Sequence, residues 1–321
     1  MPQAEHQDFV LHNIESSIVD RDISIFLTYE LRRTGQDRAL HTGWPGEQTI
    51  SLLVQKASGL FIWAETACRF IHDGKNLAKR RLDMILQGSE FDRGPEKRLN
   101  EIYLTVLKNS FPQDCTEQEQ EALCDTLRYI LGSITTLLSP LSIDSLTILL
   151  HMHQHQVHQA LQDLYAILDI PDNRTRPLRL HHPSFRDFLL NKNRCRNLSF
   201  WVEEKGAHKR LAKSCIQLMS NSLRQNVCGQ VSPGTLVTNI ESGQIEQCLP
   251  PEVRYACLYW IQHLQKSGAQ LHDKDHVHQF LEVHLLHWLE ALSWIGKISE
   301  GIIALTSLES CIVVSCLYEA L

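Results

Sequence analysis

The sequence predicts a mainly α-helical protein, and two observations carry that prediction. Leu and Ile recur at helical spacing through most of the 321 residues, while Gly (15) and Pro (11) are few. Hydrophobic residues make up 43% and charged residues 21%, enough for a sizeable core and too apolar for wholesale disorder. A chain of this length holds roughly two domains. The 31 Lys and Arg against 37 Asp and Glu give a formal charge of −6, which argues against a general polyanion binder.

The elements follow in order. FVLHNI (residues 9–14) is an apolar run suited to a buried strand. Asp20 or Asp22 can cap a helix through Leu31, with Ile23, Phe26, Leu27 and Leu31 on one side. TGWPGEQ breaks the chain before a helix over 48–56 with Ile50, Leu53 and Val54 inward. LFIWAETACRFI forms the next helix, and two more are expected over 76–87 and 95–111, separated by the polar loop GSEFDRG.

Residues 116–138 show the clearest period. Leu123, Leu127, Ile130, Leu131, Ile134, Leu137 and Leu138 line one face, and Thr116 with Glu119 spells a capping box. Pro140 stops this helix. Helices over 143–150 and 155–168 come next, then a strand–turn–strand around PDNRTRP and LRLHH, then the helix SFRDFLL. Three helices, a β-wing and a terminal helix are the ingredients of a winged-helix domain. Beyond residue 191 three long amphipathic segments remain: FWVEEKGAHKRLAKSCIQLMSNSL, PPEVRYACLYWIQHLQ, and residues 276–294 with Val277, Phe280, Leu281, Leu285, Trp288, Leu289 and Leu292 inward. Such a series suggests a superhelical helix stack without a strict repeat. The expected fold is therefore a helical domain plus a winged-helix domain followed by that stack.

The residue clusters point to little chemistry of their own. None of the ten cysteines forms a CxxC pair, and several, such as Cys124 and Cys257, fall on apolar helix faces, which reads as reduced, buried thiols. On an unbroken helix His151, His155 and His158 would share a face fit for a metal, but the segment holding them and His153 spans a turn and contains no carboxylate or Cys. His284 and His287, one turn apart, read as packing. No metal site is expected. Nor is there a GxSxG elbow or an HExxH motif. The candidate recognition helix QHQVHQALQDLYAIL carries no Arg or Lys, and only Arg174, Arg176 and Arg179 in the wing are basic, so nucleic-acid binding is not expected. With no signal peptide and no apolar stretch of membrane-spanning length, a cytoplasmic protein without a membrane span is expected.

Several long motifs in register carry a resemblance. DISIFLTYELRR, WPGEQTISLLVQKASGLFIWAETACRFI, LNEIYLTVL and ILGSITTLLSPLSIDSLTILL, continued by LRLHHPSFRDFLL, HKRLAKSCIQLM, LPPEVRYACLYWIQHL and FLEVHLLHWLEALSWIGK, resemble the middle of fungal NACHT proteins of the vegetative-incompatibility type. These are NLR-like signalling ATPases of the STAND class. The resemblance implies residues 1–18 as the remnant last strand of a P-loop NTPase core and 19–112 as a helical domain with linker helices. It implies 113–192 as the winged helix and 193–321 as a helical connector. No G-x-x-x-x-G-K-S/T occurs, nor an apolar strand ending in acidic residues for magnesium, so no NTPase activity and no cofactor are expected, ATP or ADP belonging only to a complete relative.

One site residue is implied. In the family's H-x-S-F-x-D/E-F motif, matched here by His182, Pro183, Ser184, Phe185, Arg186, Asp187 and Phe188, the histidine latches the β-phosphate of ADP. His182 could do so only where an NTPase core is supplied, and it could equally just cap the helix starting near Ser184. In GLFIWA, residues 59–64, Phe61 stands where other NLRs place a proline against adenine, or it serves helix packing. Two functional readings stay open. One is a non-catalytic regulatory or interaction fragment of fungal non-self recognition and programmed cell death, whose partner would be a full-length NLR-like protein engaged through an apolar NTPase-facing surface. The other is a truncated gene model or decayed paralogue, to which the off-pattern tail CIVVSCLYEAL would belong.

Overall fold

The computed structural model describes residues 15–87, 94–112, 115–173, 175–229 and 242–309. The strand expected over 9–14, most of the GSEFDRG loop, Arg174 and the tail from 310 lie outside the described residues. Within them the chain is mainly helical, as its periodicity requires, and the only sheet among these residues pairs two short strands. The chain divides into two compact units. The first takes residues up to 113 with 163–168 and 181–188, and the second takes the rest.

In the first unit α1 (Ser16–Asp37) buries Ile23, Leu27 and Leu31, as the spacing predicts, but neither Asp20 nor Asp22 starts it. It begins four residues earlier, behind Glu15, without any side-chain cap. Nothing between Ser16 and Ile23 breaks a helix, and each added residue contributes a hydrogen bond once the helix has nucleated. At the other end it outruns the Leu31 stripe because Thr34 and Gly35 are small enough to be buried, Gly35 against the Trp44 ring. Helices α2 (Glu47–Ala57), α3 (Phe61–Asp73), α4 (Ala78–Gln87, after a 3-10 turn at Lys75–Leu77) and α5 (Pro95–Asn109) complete the helical part. Tyr103 of α5 is buried against Phe185 and Phe188, with ring centroids 5.1 and 5.5 Å away.

The second unit opens with α6 (Glu117–Thr136) behind the capping box read from the sequence: Thr116 Oγ1 accepts the Glu119 N–H at 3.3 Å, and Glu119 Oε2 accepts the Thr116 N–H at 2.9 Å. Gly132 allows the close approach of Val202, whose Cγ1 would lie 3.1 Å from an added Cβ. Along the chain next come α7 (Ile143–Leu149), α8 (Gln154–Leu161), the strands β1 (Leu168–Asp169) and β2 (Arg179–Leu180), and α9 (Pro183–Leu190), of which Leu168 and residues 183–188 belong to the first unit. Helix α8 stops seven residues short of the expected end. Leu164, Ala166 and Ile167 are buried from turns, so apolar spacing alone carried the helical reading too far.

Helix α10 (Glu204–Ser222) likewise starts later than FWVEEKG suggested, because the Glu203 carboxylate caps it by accepting the Lys205 and Gly206 N–H groups. Phe200 and Val202 are buried ahead of it. After α11 (Ser242–Cys248), α12 (Pro251–Ser267) packs along α10 with Val253, Ala256, Cys257, Trp260, Ile261 and Leu264 buried, the face the sequence assigned. In α13 (His276–Ile295) Val277, Phe280, Trp288 and Leu292 are buried as expected, but Leu281, Leu285 and Leu289 are only half-buried. This helix is apolar around much of its circumference, so periodicity cannot single out one face. Helix α14 (Ile298–Leu308) ends the described chain. Asp275 caps α13, its Oδ1 accepting the Val277 and His278 N–H groups at 2.9 Å each and its Oδ2 the His272 N–H at 3.1 Å. Asp275→Ala is expected to cost about 1–2 kcal/mol, measured as a lower urea midpoint at unchanged slope.

Candidate functional site

The motif histidine sits at the start of α9. A proline follows it at the first helical position, where a missing N–H costs nothing, and the next amide needs an acceptor. His182 Nδ1 provides it: the Ser184 N–H donates to Nδ1 at 3.2 Å, and Ser184 Oγ lies 2.7 Å from the same nitrogen. Ser184 Oγ is also 2.8 Å from Tyr103 Oη, which ties the cap to the buried aromatic cluster. A backbone N–H can only donate, so Nδ1 is the accepting nitrogen and the ring takes the Nε2–H tautomer. The half-buried imidazole is thus held at one nitrogen, leaving Nε2–H as its single donor. His181 beside it is spoken for, with Nε2 3.0 Å from the Tyr165 carbonyl and its N–H donating to Ile167 O at 3.2 Å. The helix-cap role read from the sequence is present, and the same bond that makes the cap orients the ring.

Phe61, at the first position of α3, is 45% exposed and meets Phe26 edge-on at 6.1 Å. Helix packing accounts for half of its surface. The dense histidine patch is divided as the sequence implied. His151 lies in the turn after α7 with φ 53°, His153 precedes α8, and His155 and His158 are inside it. No group of three or more metal-ligating side chains occurs among the described residues. His284 and His287 pack against each other, Nδ1 to Nδ1 3.3 Å, and His284 stacks on Phe280, while burial lowers the His284 pKa. Arg176 and Arg179 are exposed in the hairpin. Cys124 and Cys257 are buried thiols, as their helix positions predict.

Sequence reasoning missed two polar clusters. In the first unit Arg81, 5% exposed, donates from Nη1 to the Phe70 carbonyl at 2.8 Å and places Nη2 3.7 Å from Asp163 Oδ1. Arg38 donates to the neighbouring His72 carbonyl at 3.2 Å. Both arginines therefore satisfy the open carbonyls at the α3 C-terminus, where the helix dipole favours cations. Asp73 sits among them, its pKa raised by burial against the pull of His72, Arg81, Arg69 and Arg38. In the second unit His208 Nδ1 lies 2.8 Å from His263 Nδ1, and His263 Nε2 2.7 Å from Tyr255 Oη, with both histidines buried. Neither cluster leaves a trace in the local sequence, because the hydrogen bonds and ion pair that build it join residues 8 to 82 apart.

No protein-family model matches the chain. It is 28% identical over 276 residues, 79% of its length, to the vegetative incompatibility protein HET-E-1 of Podospora anserina. This supports the fungal vegetative-incompatibility resemblance read from the motifs. The chain spans about a fifth (19%) of the length of that relative. No described helix is long and apolar enough to cross a membrane.

Proposed function

We propose that the chain is a non-catalytic regulatory segment of an NLR-like NACHT protein of fungal non-self recognition, and that His182 is its nucleotide-sensing residue. The observation that carries this reading is the half-satisfied imidazole. Its Nδ1 is consumed by the α9 cap, so the ring presents one pre-oriented Nε2–H, a donor suited to a phosphate oxygen. The order α6, α7, α8, the β1–β2 hairpin and α9 supports a winged helix as the carrier of that residue. The helices that follow support a connector. A nucleotide would bind in an NTPase core from another part of a longer chain or from a full-length relative, and His182 would release it when the carrier rotates away. Ile25, Tyr29 and Phe61 are exposed apolar side chains in the first unit that such a core could cover.

Two measurements test this. Titration calorimetry of the chain alone with ATP or ADP, with and without magnesium, is expected to show no micromolar binding. A stoichiometric, magnesium-dependent site would overturn the non-catalytic assignment. In a protein that joins this chain to a family NTPase core, His182→Asn is the informative change, because asparagine still caps α9 but offers no Nε2 donor. Loss of a hydrogen bond to a charged phosphate, about 1.5–3 kcal/mol, is expected to weaken ADP roughly 10–100-fold. Unchanged ADP affinity would reduce His182 to a helix cap.

A further inference from the structure

We propose that the loop 191–203 and the outer face of α10 form a docking surface for an anionic membrane, bound peripherally through acidic lipid headgroups. The chain carries a formal charge of −6, yet residues 188–224 hold eight Lys and Arg against two acids, Glu203 and Glu204. Glu203 is turned onto its own helix, its carboxylate accepting the Lys205 and Gly206 N–H groups. Lys205, Lys209 and Lys213 recur at i, i+4 and i+8, so they share one face of α10, while Ala207, Leu211 and Cys215 are buried on the opposite one. These three lysines, Lys192 and Arg196 are exposed, and none of the five forms an ion pair with a described residue.

The loop supplies the apolar part. Asn191 Oδ1 accepts the Asn193 N–H and Asn197 Oδ1 the Ser199 N–H, each at 2.9 Å, which fixes both of its turns. Phe200 and Val202 are buried, whereas Leu198, inside the second turn, is left 62% exposed. Loop and helix meet on α6: Arg128 Nε donates to the Ser199 carbonyl at 3.2 Å, and Arg210 of α10 lies 5.6 Å from the ring of the adjoining Tyr129. Leu198 and the lysine face thus belong to neighbouring parts of the second unit's surface. An exposed apolar side chain among cations suits a lipid surface, where it enters the headgroup layer while the charges meet phosphates and carboxylates. Lysines, as flexible point charges, match such a layer of mobile headgroups. A single-stranded nucleic acid would instead call for an open aromatic face on which to stack its bases. Trp201, the loop's half-buried ring, has Lys192 over it at 5.3 Å and donates its Nε1–H to the Leu190 carbonyl at 3.4 Å.

The test is flotation of the full chain with vesicles of phosphatidylcholine alone and with vesicles that also hold about 30% phosphatidylserine. Binding is expected to the anionic vesicles only, and to be lost in about 0.5 M sodium chloride, which screens the charges. A cation near an anionic surface is worth roughly fivefold in affinity, so changing Lys205, Lys209 and Lys213 together to Gln should weaken binding roughly 100-fold. Leu198→Ser should weaken it roughly tenfold and leave its salt dependence as it was. Both variants alter exposed side chains only, and an unchanged urea midpoint shows that they fold. Equal binding to the two kinds of vesicle, or none to either, would overturn the proposal, as would undiminished binding by the triple lysine variant. Undiminished binding by Leu198→Ser would overturn the entry of the loop into the headgroup layer. Retention of an oligonucleotide at salt concentrations that release the vesicles would overturn the membrane assignment in favour of nucleic acid.

Discussion

Arg81→Ala is expected to destabilise the first unit by about 3 kcal/mol, the largest effect of any single charged side chain there. The guanidinium satisfies the Phe70 carbonyl at 2.8 Å, lies over the Phe70 ring at 4.7 Å, and faces Asp73 and Asp163. Truncation leaves the Phe70 carbonyl without its donor and strips a half-buried carboxylate of a counter-charge. It also opens the space that lets the Arg81 stem lie against Gly74, where any side chain larger than hydrogen would meet Arg81 Cδ at 2.7 Å. The ion pair with Asp163 adds little, since that carboxylate is 38% exposed and screened by water. Asp163→Asn should therefore cost far less than Arg81→Ala. Hydrogen exchange reads the difference directly: amides of α3 and α4 should lose protection in the arginine variant, with those of α10 and α12 unchanged. Equal losses in both variants would mean that the ion pair, and not the helix-end carbonyl, is what Arg81 serves.

Why this cluster escapes a reading of the sequence is physical. In AKRRLDMILQ, Arg81 is one of three adjacent cations and has the look of a solvated face; only the tertiary position of the α3 C-terminus, 11 residues upstream, makes it an acceptor's partner. What the sequence does disclose is local. The Thr116–Glu119 box is a contact between residues three apart, and the His182–Ser184 cap between residues two apart, so both are written in the spacing. The turn that divides the histidine patch is legible for the same reason. Element ends fared worse wherever a buried small residue or a turn continued the apolar pattern, as at Thr34 and Gly35 of α1 or at Leu164–Ile167 beyond α8. Period reports burial, and burial does not require a helix.

The second unit is expected to be acid-labile through His263. The Leu138 N–H donates to Tyr255 Oη at 3.1 Å; where the Tyr255 hydroxyl gives its proton to His263 Nε2, the neutral ring donates from Nδ1 to His208 Nδ1. In that arrangement a second proton on His263 takes away the acceptor of the Tyr255 hydroxyl. Burial, together with His208 and Lys266, pulls its pKa down to about 3. The groups facing it are His208 from α10 and Tyr255 and Lys266 from α12, with no carboxylate among the groups that shift it to hold an added proton.

The sign follows from linkage. An unfolded histidine takes up its proton near pH 6.5, but the folded one does so only near 3. The stabilisation is therefore whole above 6.5 and declines as pH falls from 6.5 toward 3, by about 1.4 kcal/mol per pH unit. By pH 5 the loss is about 2 kcal/mol. Other histidines titrate in the same window, so the decisive quantity is a difference. His263→Gln keeps an acceptor for Tyr255 and a donor for His208 but cannot be protonated. Urea midpoints of the two proteins between pH 7.5 and 5 should therefore converge as acid is added, the variant starting lower and falling less steeply. Parallel lines across that range would show that the buried imidazole accepts a proton without cost, and that the His208–His263–Tyr255 chain fastens α10 to α12 by packing alone.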